Sequence, residues 1–185
     1  MGAVNEQTSE ITINNEYFFN VSGKFRLDYD LGWNSNLVNL VIYGNFTVRI
    51  LDIEPIINGS MINFTVKFDL QVEGANPEDI SSLLTQFLDL EDGSTSSNIT
   101  NFTCLDEESF GLFFIHPDCE MRNYTLYERT EEFLQIFYVE YDDAGVLKEL
   151  YFRMDGKIPD ENYVVDMEMR IIQGEGALEK YEYTE

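Results

Sequence analysis

Residues 62–72 read Ile-Asn-Phe-Thr-Val-Lys-Phe-Asp-Leu-Gln-Val, with Ile62, Phe64, Val66, Phe68, Leu70 and Val72 at every second position. Successive side chains of a strand point to opposite faces, so this run predicts a strand with one apolar and one polar face. Residues 17–29 repeat the pattern, setting Tyr17, Phe19, Val21, Phe25, Leu27 and Tyr29 against Phe18, Asn20, Ser22, Lys24, Arg26 and Asp28. So do residues 38–50, with Val38, Leu40, Ile42, Phe46, Val48 and Ile50 inward and Asn39, Tyr43, Asn45, Thr47 and Arg49 outward. Further strands are expected near 110–115, 121–129, 133–141, 146–154 and 163–172. Asp142-Asp143-Ala144-Gly145 predicts a tight hairpin turn, and Asp155-Gly156 predicts the next reversal.

Working outward from Val72, the chain meets one stretch of different period. In residues 76–90, Asn76 suits a helix cap, Pro77 the first turn, and Glu78 and Asp79 the positive end of the helix dipole. Ile80, Leu83, Leu84, Phe87 and Leu88 then follow i, i+3, i+4, i+7, i+8 spacing, a single apolar stripe. The expected fold is mainly β, in the α+β class. A strongly curved antiparallel sheet, as a half-barrel or a sandwich, has this one amphipathic helix packed on its apolar face. The five stripe residues would then form a lid over any ligand held between sheet and helix. At 185 residues the chain is one domain's worth. We expect an N-terminal arm over 1–9, a single β-rich ectodomain over 10–173 and a polar C-terminal tether over 174–185.

The polar faces carry a second pattern. Fifteen asparagines and 21 serines and threonines in 185 residues would generate about two N-x-[S/T] acceptors by chance. There are seven, at Asn20, Asn45, Asn58, Asn63, Asn98, Asn101 and Asn123, none with proline in the middle position. Asn20, Asn45 and Asn63 each fall on the polar face of a predicted strand, where a glycan would stand in water. The stretch Ser96-Ser97-Asn98-Ile99-Thr100-Asn101-Phe102-Thr103-Cys104 packs two acceptors beside a thiol, which reads as a glycosylated turn. Cys104 and Cys119 are the only cysteines; in an oxidising compartment they form one disulfide closing a loop of about 15 residues.

Charge narrows the partners. The formal net charge is −24, from 35 acidic against 11 basic residues, which repels nucleic acid and anionic headgroups. No apolar run approaches the length of a membrane span, so a secreted origin implies a signal peptide, and a membrane tether, outside this chain.

Chemistry-bearing groups are sparse. His116 is the only histidine, and with Cys104 and Cys119 it matches no closed zinc spacing. Asp89 to Thr95 places Leu88 and Leu90 where a calcium loop needs acids. Glu107-Glu108, Glu131-Glu132 and Asp142-Asp143 would serve a glycosidase only as facing pairs in a cleft, and each reads as solvated charge at a turn. We assign no catalytic residue, no metal and no cofactor, and expect a non-enzymatic protein.

The alternating strands dotted with acceptors, together with the hairpin Glu140-Tyr-Asp-Asp-Ala-Gly-Val-Leu-Lys-Glu-Leu150, resemble the ectodomains of archaeal cell-surface proteins. Strands, one amphipathic helix, then more strands over about 160 residues is also similar to the half-barrel lipoprotein-carrier fold of the LolA type. The first resemblance implies an extracellular, glycosylated surface or assembly module that meets other surface proteins or itself. The second implies a carrier for a lipid or other apolar ligand.

Overall fold

The computed structural model describes residues 11–30, 35–56, 59–74, 95–101, 113–115, 119–157 and 163–174. They contain eight strands: β1 Glu16–Asp30, β2 Ser35–Ile56, β3 Gly59–Glu73, β4 Thr95–Asn101, β5 Asn123–Arg129, β6 Phe133–Tyr141, β7 Leu147–Lys157 and β8 Tyr163–Gln173. All belong to one antiparallel sheet of order β4-β3-β2-β1-β8-β7-β6-β5. The chain therefore builds two four-stranded meanders, β1 to β4 and β5 to β8, and the pairing of β1 with β8 joins them. The outermost strands, β4 and β5, are not paired with one another, so the sheet is open. Among the described residues there is one sheet and not the two layers of a sandwich.

Alternation decides the faces. Phe19 stands opposite Phe46, which stands opposite Phe68, while Asn20 stands opposite Asn45, which stands opposite Asp69. The apolar row packs inward and the polar row faces water. Tyr17, Phe19, Val21, Phe46, Val48, Ile50, Ile62, Phe64 and Val66 form the buried core of the first meander. Val139, Tyr141, Leu147, Leu150 and Ile171 bring in the second.

A short segment ties the two meanders together. The rings of Phe113 and Phe114 lie 5.9 and 5.6 Å from the ring of Phe64 on β3. The backbone of the same segment bonds the β6–β7 hairpin, with Ile115 N donating to Gly145 O and Leu147 N to Phe113 O, both at 2.8 Å. Four strand spacings separate β3 from β7, about 19 Å in a flat sheet. Two adjacent residues reach both because the sheet curls around them. Curvature thus follows from filling the concave face with aromatic side chains.

Three expectations need correction. Residues 95–101 are a strand, not a turn: Met61 to Lys67 of β3 pair with Asn101 to Thr95. Asp155-Gly156 does not reverse the chain; both lie inside β7, paired with Leu134 and Phe133 of β6. Gly156 has φ +119°, and a Cβ there would stand 2.0 Å from the Glu132 carbonyl oxygen. The glycine serves a close backbone approach, and β8 begins at Tyr163. The strand expected near 110–115 is, over 113–115, a single bridge between Phe114 and Val146. The helix expected over 76–90, the arm over 1–9 and all but Gly174 of the tether lie outside the described residues. No described helix is long and apolar enough to cross a membrane.

Candidate functional site

The concave face has two halves with different packing. Around Phe19, Phe46 and Phe64 it is filled by Phe113 and Phe114, with ring centroids 5.0 to 5.9 Å apart across the cluster. Toward the other end the same face continues through the cross-strand rows Ile42–Gly23–Met169–Phe152–Phe137 and Leu40–Phe25–Met167–Met154. Leu40 and Gly23 are buried, as are Val165 and Phe133 in the row beyond, whereas Phe25, Ile42, Phe137, Phe152, Met154, Met167 and Met169 are half-buried. At Gly23 in the first row, an added Cβ would stand 3.0 Å from Glu168 O and 3.4 Å from Met169 Cβ.

This half is apolar in its chemistry. Among the described residues its rows carry no charge until Glu128 on β5 at the rim, where Gln135 of β6 is the neighbouring polar group. Methionine suits such a surface, because an unbranched thioether chain adapts to irregular apolar shapes. The arrangement can hold an apolar molecule by burial.

The convex face is the opposite in kind. Lys24 pairs with Asp166 at 2.9 Å, Arg170 with Glu149 at 2.9 Å and Lys148 with Glu140 at 2.7 Å. The Lys148 contact holds the Glu140 carboxyl below its usual range and raises the Lys148 ammonium. Tyr138 donates to Glu140, which pushes its phenol up. Tyr151 is raised by burial first and then by its hydrogen bond to Glu168. These partners are cross-strand or near neighbours that are not buried, and such ion pairs contribute little each.

No protein-family model and no curated protein matches this chain.

The described acceptor asparagines lie toward one end of the sheet. Asn20 and Asn45 are cross-strand partners, and the same lateral row continues through Ile172, Glu149 and Glu140 to Asn123. Asn45 and Asn123 are exposed, while Asn20 and Asn63 are half-buried. Asn63 shares the convex face with Asn20 and Asn45, because its neighbours Ile62 and Phe64 point into the core. In the backbone register Asn98 pairs with Phe64 and Asn101 with Met61. Asn58 lies outside the described residues, in the connection between β2 and β3. Every described acceptor lies at, or on the filled side of, the Asn20 row; the half-open end has none.

Other expected groups divide similarly. Cys119 is buried in the core cluster, 5% exposed. Cys104, His116, Glu107 and Glu108 lie outside the described residues, as do Ile80, Leu83, Leu84, Phe87 and Leu88. Glu131-Glu132 and Asp142-Asp143 sit at opposite ends of the nine-residue β6, about 30 Å apart along the strand. They therefore do not face one another. Asp142 has a local task instead, accepting from the amides of Ala144 and Val146 at 2.9 Å to close the hairpin. No cluster of three metal-ligating side chains occurs among the described residues. The half-open apolar rows were the feature that sequence reading passed over. Their signal is Phe152 and Met154 alternating in β7, and Met167 and Met169 in β8.

Proposed function

We propose that this chain is a non-catalytic, N-glycosylated extracellular domain that binds an apolar ligand on the half-open end of its concave face. The observation carrying this reading is the half-buried patch of Phe25, Ile42, Phe152, Met154, Met167 and Met169. It continues the core beyond Phe113 and Phe114, the described aromatic filling of the other half. Ligand sites are concave and mostly apolar with a few polar groups at the rim, which is the chemistry of this surface.

The helix expected over 76–90 belongs to the same reading. Fifteen helical residues span about 22 Å. From Gly74, where β3 ends, back to Lys67, which pairs with Thr95 at the start of β4, is seven residues along β3, about 23 Å. A helix of that length returns the chain to the start of β4. Lying over the half-open end, it would bring Ile80, Leu83, Leu84, Phe87 and Leu88 onto the patch as its cover. The Cys104–Cys119 disulfide and glycans on the acceptor asparagines complete the extracellular proposal.

The test is uptake of Nile red, an uncharged apolar dye that the strongly acidic chain does not repel. The wild-type chain is expected to bind it saturably. Met169→Glu, which sets a carboxylate beside Phe152, should abolish uptake at a temperature where circular dichroism shows the variant folded. Absence of saturable uptake in wild type, or uptake indifferent to Met169→Glu, would sink the reading.

A further inference from the structure

The two edges of the sheet are not equivalent. An open sheet offers a row of free amides and carbonyls at each edge, and such edges pair with other chains unless something blunts them. The β4 edge carries two acceptors, Asn98 and Asn101, within seven residues. The β5 edge carries one, Asn123, at its very start, and past it runs Tyr-Thr-Leu-Tyr-Glu-Arg without lysine or proline. Seven large apolar side chains are exposed among the described residues, and three of them, Met121, Leu126 and Tyr127, lie on or beside β5.

We propose that β5 pairs with β5 of a second copy of this chain, antiparallel and about a two-fold axis at Leu126. Tyr141 N donates to Arg122 O, and Thr130 N to Phe133 O, both at 2.8 Å. Bonding alternates along an antiparallel strand, so even-numbered residues of β5 turn their backbone groups toward β6. Residues 123, 125, 127 and 129 turn theirs to the free edge. A two-fold at Leu126 sets Thr125 opposite the second copy's Tyr127 and Asn123 opposite its Arg129, all four positions with outward backbone groups. About eight hydrogen bonds can form.

The side chains fit the same register. Leu126 meets its own copy on the concave face, flanked by Tyr124 opposite Glu128. On the convex face the Tyr127 ring lies against Thr125, an aromatic and β-branched pair of the kind that stabilises sheets. Glu128 and Arg129 cancel, so this strand is neutral in a chain of net charge −24. That neutrality is what selects a second copy as the occupant: two such acidic chains repel almost everywhere else, and here they do not. The contact does not depend on ligand binding, and it joins two concave faces along one sixteen-stranded sheet.

A seven-residue edge is a small interface, so the dimer is expected to form with a dissociation constant of about 10 to 100 µM. Sedimentation equilibrium of the full chain up to about 1 mM tests this. Leu126→Lys and Leu126→Glu should each be monomeric with unchanged circular dichroism, because like charges then meet at the axis. An equimolar mixture of the two should regain dimer. Tyr127→Pro, which removes an outward amide while sparing the β6 bonds and the Asn123 acceptor, should also lower association at least about tenfold. A wild-type chain monomeric throughout, a dimer unaffected by the single variants, or a mixture that stays monomeric would each overturn the proposal. Nile red uptake by Tyr127→Pro, at a position whose side chain lies on the convex face, separates this contact from the ligand reading.

Discussion

Asn20 on β1 and Asn45 on β2 stand directly opposite one another, although each opens its own N-x-[S/T] acceptor. Directly opposed side chains have Cβ atoms about 5 Å apart, too close for two branched sugars to leave side by side without crowding. The two are not equal competitors. Asn20 is half-buried and its Nδ2 donates to Gly174 O at 2.6 Å, whereas Asn45 is exposed. Glycan mapping of the secreted chain is expected to find Asn45 occupied and Asn20 largely bare. Asn20→Gln should leave the intact mass of the glycoprotein nearly unchanged, and Asn45→Gln should remove one glycan or move it to Asn20. A dominant species carrying both would contradict the crowding argument.

Gly156 supplies a prediction about backbone. Its φ of +119° is one that residues with a Cβ rarely adopt, and an added methyl would press on the Glu132 carbonyl oxygen and the Phe133 Cα. Both obstacles are backbone atoms of the adjoining strand, so relief requires β6 and β7 to part locally. Gly156→Ala is expected to destabilise the domain by about 1 to 3 kcal/mol in chemical denaturation. Gly174→Ala is the control: it shares a positive φ of +114° but meets nothing within 4 Å. Its smaller loss would separate steric contact from dihedral strain.

Those two positions also show what a sequence discloses. Residues 62–72 announce their strand because apolar and polar side chains alternate without a break. Thr95 to Asn101 hide theirs, since one isoleucine among six polar residues leaves no period to see, and only the edge of β3 makes a strand of them. Asp155-Gly156 misleads because glycine is needed equally for a turn and for close passage of two backbones, and local sequence does not distinguish these. The joining of Phe25 and Ile42 with Phe152, Met167 and Met169 into one patch was hidden for a related reason. It forms where β1 pairs with β8, residues more than 130 positions apart, and no local pattern encodes which strands of two meanders meet.

Alkaline pH should weaken the fold through its buried phenols. Tyr141 is 3% exposed, and burial raises its pKa far above the ordinary tyrosine value; burial is also the main reason that Tyr17 is raised. Below about pH 10 these phenols are neutral in both folded and unfolded chains, and their contribution is fully present. As pH rises through the unfolded value, the unfolded chain releases protons that the folded one retains, so stability falls. Melting temperature is expected to decline above about pH 10, with Tyr141→Phe shallower than wild type in that range. A decline of identical steepness in the variant would assign it to other groups.

The last prediction separates the two halves of the concave face. Phe114 is 1% exposed, its ring lies 5.8 Å from Tyr17 and 5.6 Å from Phe64, and its segment bonds the β6–β7 hairpin. Truncating it removes packing on β1 and β3 together, and those strands cannot collapse into the space without flattening the sheet. Phe114→Ala should therefore cost about 3 to 5 kcal/mol, at the upper end for core truncations. Phe152 has the same side chain on the same face, but it is only half-buried. Phe152→Ala should cost well under half as much, because less of its surface leaves water on folding. Its effect is expected instead in Nile red affinity, which Phe114→Ala should change only as far as it unfolds the chain. Chemical denaturation and dye titration of both variants measure the four quantities. Equal stability losses would mean that the face is one continuous solid core. In that case the apolar rows through Met154, Met167 and Met169 serve packing alone, and the ligand reading fails with them.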